Sequence, residues 1–132
     1  MKNRILVTAV LVAVAFLAGF LPQYVSAQRA AGQLRQARQQ NTYAQLRDLA
    51  ALSYVQAVQK NYGLAADTAA RFFNRAREMA NQAPADARQG FQNLLAPRDQ
   101  ITGELARGDP AVLGDLQNLF LKTRQATIAA GE

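Results

Sequence analysis

The reactive side chains of this 132-residue chain include two serines, nine carboxylates and fifteen Lys and Arg residues, and there is no histidine or cysteine. That composition removes a His/Cys zinc site, a thiol nucleophile, a Ser-His-Asp triad and a disulfide at once. Ser26 closes an apolar N-terminal run, and Ser53 falls in mid-helix with no Lys close in sequence. The carboxylates are scattered among turns and helices opposite arginines, and none repeats at i, i+3 or i+4 with another, the spacing that helix-borne metal pairs use. Asp109 reads as a helix cap, and no Gly-rich phosphate loop is present. The expectation is a protein that is not an enzyme, with no cofactor, metal or small-molecule substrate.

Apolar residues offer the alternative of binding. Phe72-Phe73 and Leu119-Phe120-Leu121 place large side chains on more than one side of a helix, so more core or a partner must cover the excess. Phe72, Phe120 and Leu121 are therefore the expected residues of partner binding or self-association. Tyr43, Tyr54 and Tyr62 read as structural, with Tyr62 packing its ring over the end of a helical hairpin.

The elements that must position these residues begin with an export signal. Lys2 and Arg4 precede an uncharged run from Ile5 to Ala27, almost continuously apolar from Ile5 to Leu21. At 1.5 Å per residue that stretch spans about 25 Å against a hydrocarbon core of about 30 Å. Phe20 and Tyr24 would lie in the interfacial belt. A retained signal anchor over 5–27 is expected, with residues 1–4 as a short basic tail in the cytoplasm and the remainder outside. The alternative is cleavage after Ala27, since Val25-Ser26-Ala27 has small-residue processing chemistry and Pro22 lies just upstream. The product would be a soluble periplasmic chaperone-like or adaptor-like protein.

The formal charge of +6 is localised. Lys2 and Arg4 carry part of it, and Arg29, Arg35, Arg38 and Arg47 carry the rest in a stretch without acids; residues 48–132 hold nine basic and nine acidic side chains. Arg29, Arg35 and Arg38 are thus expected to face a membrane surface, where each cation near anionic lipid contributes about 1 kcal/mol. No basic patch with interleaved aromatics accompanies them, so nucleic acid is not an expected partner.

Residues 28–45 are rich in Gln, Arg and Ala, with a thin stripe at Leu34, Ala37, Asn41 and Ala44 that predicts a helical stalk or weak coiled coil. A bundle over 46–130 follows. Leu46, Leu49, Leu52, Val55 and Val58 are read as an apolar face ending at a turn with Gly63. The next helix presents Ala65, Ala69, Phe72, Phe73, Ala76 and Met79, antiparallel to the first. Asp86 is the expected N-cap of a third helix burying Phe91, Leu94, Leu95, Ile101 and Leu105, kinked or broken at Pro97. Gly108-Asp109-Pro110 stops it and starts a last helix burying Val112, Leu113, Leu116, Leu119 and Phe120.

No strand pattern occurs, and the expected fold is all-α: an N-terminal anchor helix, a stalk, and about four helices in two antiparallel hairpins. The Ala69, Phe73, Ala76 spacing resembles the second helix of a tetratricopeptide unit over about ten residues. Gln56 stands where that repeat has an aromatic, and two hairpins fall short of a stacked array. The functional expectation is a single-pass protein of the bacterial inner membrane. Its non-catalytic periplasmic domain would bind another protein or a second copy.

Overall fold

The computed structural model describes residues 2–131, with the side chains of residues 2, 3, 5, 6 and 16–24 outside the description. Five helices and no strand occur among the described residues: α1 (Lys2–Val58), α2 (Tyr62–Gln82), α3 (Ala85–Asn93), α4 (Arg98–Arg107) and α5 (Val112–Gly131). The chain divides into two units, Met1–Gln39 and Gln40–Glu132.

The first unit is helix alone, and every described side chain in it is exposed. Val7, Val10, Leu11, Val12 and Val14 are each more than half exposed. The Thr8 hydroxyl donates to the Arg4 carbonyl at 2.8 Å, the back-bond that satisfies a hydroxyl within a helix. Among the described residues no helix is long and apolar enough to cross a membrane. The expected span over 5–27 takes in residues 5, 6 and 16–24, whose side chains lie outside the described set.

The second unit is a helical bundle built on small residues. Its share of α1 buries Tyr43, Leu46, Ala50, Ser53 and Ala57, which alternate three- and four-residue steps and so keep to one face. The face expected from the sequence is different: Leu52, Val55 and Val58 are exposed and Leu49 is half-buried. The reason is geometric. A strict three-residue step falls about 60° short of a full turn, so five such residues wind around the helix instead of lining it. Ala and Ser on the true face allow close approach, and the Ser53 hydroxyl reaches the Ala65 carbonyl of α2 at 3.0 Å.

The chain reverses between α1 and α2 at Lys60, not at Gly63. Lys60 has φ of 62° and its N–H donates to the Ala57 carbonyl, while the Asn61 N–H donates to Gln56. This is a Schellman cap with a non-glycine residue in the left-handed position. Gly63 instead lies in the first turn of α2, where the Asn61 side chain accepts from the Leu64 N–H. The expected inward face of α2 is buried in full, joined by Thr68 and Ala80. Phe72 and Phe73 meet edge to face, centroids 5.2 Å apart.

Ala83 ends α2 in the extended conformation that a following proline imposes. Pro84, not Asp86, occupies the N-cap of α3, and Asp86 sits in the first helical turn. Pro97 divides the expected third helix into α3 and α4, so the bundle has one helix more than anticipated. Phe91, Leu94, Ile101 and Leu105 are nevertheless all buried, with Leu95 half-buried. Gly108 closes α4 at φ of 62° in a second Schellman cap, its N–H bonding Leu105 and that of Asp109 bonding Glu104. The Asp109 side chain accepts from the Ala111 N–H, and three-residue backbone bonds lead into α5, which starts two residues later than Pro110 suggests.

Helix α2 packs on α3 and α4, and α5 packs on the same two. Tyr43 of α1 meets Phe91 of α3, centroids 5.8 Å apart. The buried stripe of α5 runs Val112, Leu116, Leu119, Thr123 and Thr127, while Leu113 and Phe120 are half-buried. The two threonines enter the core because each hydroxyl donates to the carbonyl one turn back, and Thr127 also accepts from Arg47 of α1 at 3.0 Å.

Candidate functional site

The second half of α5 presents a surface that the bundle does not cover. Past Asp115 this helix has no acidic residue through Gly131, and it carries Lys122 and Arg124. Leu121 and Ile128, two turns apart on one side, are about half exposed. Two concavities flank them. One, of about 550 Å³, lies between α3 and α5 and is lined in part by Gly90, Leu94, Ala96, Lys122, Ala126 and Ala129. The other, of about 390 Å³, is formed by Leu121, Arg124, Gln125, Ile128 and Ala129.

Small residues make the first groove. Gly90 faces Ala126 so closely that a Cβ on Gly90 would stand 3.6 Å from the Ala126 methyl. That is ordinary contact, and it leaves a channel that larger side chains would fill. Both grooves are lined by apolar, amide and cationic side chains, Asn93 and Gln125 among them, with no carboxylate. They suit a ligand with apolar side chains and a negative flank, while a symmetric pairing of two such faces would bring like charges together.

The three residues expected to bind a partner separate here. Leu121 is exposed on this surface, and Phe120 is half-buried against the core. Phe72 is fully buried, because α3 and α4 both pack on α2 and cover what looked like an apolar surplus. Ile128 is the member that the sequence pattern left out, since it lies beyond Phe120, the last residue of the expected buried stripe. Arg29, Arg35 and Arg38 are exposed on α1 in the first unit.

Ser53 is 1% exposed with its hydroxyl committed to Ala65. Among the described residues no group of three or more Asp, Glu, His or Cys is placed to hold a metal. Two carboxylates, however, do meet. Glu104 of α4 is buried, and the Gln100 side-chain amide donates to its Oε1 at 3.2 Å and to Asp115 Oδ2 of α5 at 2.7 Å. Glu104 Oε2 is buried with no partner. Burial, then the adjacent Asp115 and Asp109 carboxylates, hold the Glu104 carboxyl above its ordinary value, against the lowering effect of the Gln100 bond. Sequence spacing searched for pairs on a single helix and missed this one, which the tight Gly108-Asp109 reversal creates across two.

No protein-family model matches the chain, and comparison with curated proteins and with solved structures finds no match.

Proposed function

We propose that this chain is a membrane-anchored protein of the bacterial envelope whose non-catalytic helical domain binds another protein through the exposed side of α5. The observation that carries the binding reading is the half-exposed pair Leu121 and Ile128, which line one of two neighbouring grooves that together contain Lys122 and Arg124 and no acid. Contiguous apolar surface with a charged border is what protein-binding faces offer. Crosslinking and pull-down from native membranes, with Leu121→Ala and Ile128→Ala tested singly and together, is the direct experiment. Loss of a specific partner in the double variant with the fold intact supports the assignment; an unchanged partner set refutes it.

The anchoring half of the proposal rests on the uncharged run that follows Lys2 and Arg4, and on the exposure of Val7, Val10, Leu11, Val12 and Val14. Five large apolar side chains without an intramolecular cover favour a lipid environment, and the Thr8 back-bond removes the main polar cost in it. Lys2 and Arg4 favour the cytoplasmic side for the start of the run, which puts the bundle in the periplasm. Arg29, Arg35 and Arg38 then lie where anionic headgroups would attract them. Val25-Ser26-Ala27 favours a second reading, in which processing releases a soluble periplasmic binder. Intact mass of the protein purified from cells separates the two: a mature chain starting at Gln28 supports release, and the full-length mass with resistance to alkaline extraction supports the anchor.

A further inference from the structure

We propose that Glu104 and Asp115, sharing the side-chain amide of Gln100, form a pH-sensitive latch between α4 and α5 that tightens as the pH falls. The Gln100 NH₂ group has two hydrogens, and both are committed, one to each carboxylate. Nothing remains for Glu104 Oε2, which is buried without a partner. Among the described residues no cation forms an ion pair with either acid. Two negative groups therefore share one neutral donor at the junction of two helices.

Uptake of one proton from solvent changes that inventory. A protonated Glu104 becomes a donor, Asp115 has acceptor capacity to receive it, and the pair gains a bond where it had repulsion. Helix position assigns the proton to Glu104. It is buried and stands in the last turn of α4, where the peptide dipoles disfavour negative charge.

The groups facing Glu104 on every packed side are consistent with this. From α5 comes Asp115, and from the reversal before it Asp109, both acidic. Helix α2 turns its buried Ala, Thr and Phe face inward, with Asp67, Arg71, Arg77 and Glu78 exposed and Arg75 half-buried in a 3.0 Å pair with Glu78. On α4 itself Arg98, Asp99 and Arg107 are exposed.

The sign of the effect follows. Glu104 is held above 4.5 in the fold, so its stabilising contribution is complete below that pH and is lost as pH rises through the elevated folded value. This is opposite to the acid lability that ion-paired carboxylates confer. Beyond partner binding, it makes the seating of α5 responsive to the acidity of the surroundings.

The test is thermal unfolding of the full chain in detergent from pH 4.5 to 8, beside Glu104→Gln, whose amide mimics the protonated donor. The wild-type midpoint should approach that of the variant at the acid end and fall progressively below it as the pH rises to 8. A difference that does not change with pH, or a variant that loses stability relative to wild type as pH rises, overturns the latch. An independent reading on the unmodified protein is the ¹³C titration of the Glu104 carboxyl: a midpoint above 4.5 supports the proposal, and one at or below it refutes it.

Discussion

The Ser53 hydroxyl of α1 donates to the main-chain carbonyl of Ala65 in α2 at 3.0 Å, in a place where Ser53 is 1% exposed and Ala65 is fully buried. A side chain that short reaches a neighbouring backbone only when two helices approach closely, and the buried residues Ala50 and Ala57 of α1 and Ala69 of α2 are as small. Replacing Ser53 with Ala should cost about 1 kcal/mol, the net worth of the bond. Ser53→Leu should cost about 1–3 kcal/mol by forcing the helices apart. Urea unfolding of the two variants measures both, and a Leu variant as stable as the Ala one would show that the seam is not close-packed.

Two Schellman caps of the same construction differ in the residue that must adopt positive φ: Lys60 in one, Gly108 in the other. Lys60→Gly should stabilise the protein by up to about 1 kcal/mol, because the Cβ penalty of the left-handed conformation disappears. Gly108→Ala should destabilise it by about 1–2 kcal/mol. The added methyl would also lie 3.4 Å from the Tyr62 ring. Thermal midpoints moving in opposite directions are the expected result.

Thr123 and Thr127 look alike in sequence and are not alike in the fold. The Thr123 hydroxyl bonds only the Leu119 carbonyl of its own helix, so Thr123→Val should change stability by less than about 0.5 kcal/mol. Thr127→Val takes away the acceptor of the half-buried Arg47 and should cost about 1–2 kcal/mol. Chemical denaturation of both threonine variants, with Arg47→Met and the Arg47→Met/Thr127→Val double variant completing a cycle with Thr127→Val and wild type, isolates the cross-helix contact.

Phe72 and Leu121 were equivalent as surplus apolar residues and are opposites in the structure. Phe72→Ala should cost about 3–5 kcal/mol, a large part of what a domain of this size has to lose. Leu121→Ala should stay within about 0.5 kcal/mol. Circular dichroism melts suffice to tell them apart.

Helix type and much of the core were legible in the sequence wherever apolar residues kept a mixed three- and four-residue rhythm, as on α2. On α1, side-chain size does not track burial. The large residues Leu52, Val55 and Val58 face outward, while Ala50, Ser53 and Ala57 hold the packed face. Small residues give weak hydropathy signals, yet they are what a narrow helix seam selects. Phe72 lies under more cover than a single hairpin partner supplies, since α3 and α4 pack on α2 in addition to α1. The Glu104–Asp115 meeting was beyond any spacing rule, because it depends on the direction in which the chain leaves Gly108.

The Arg47–Thr127 bond joins partners 80 residues apart, the first helix of the bundle to its last. A chain made from the N-terminus holds the donor long before it has the acceptor. Until α5 arrives, the inner faces of α3 and α4 have no lid, and such faces attract chaperones or one another. The hairpin of α1 and α2 involves near neighbours and can form early, so completion of the bundle waits on the slowest and most distant closure. Loss of the final two turns of α5 should therefore be felt first as poor yield during synthesis and delivery, before any change in the finished protein is measured.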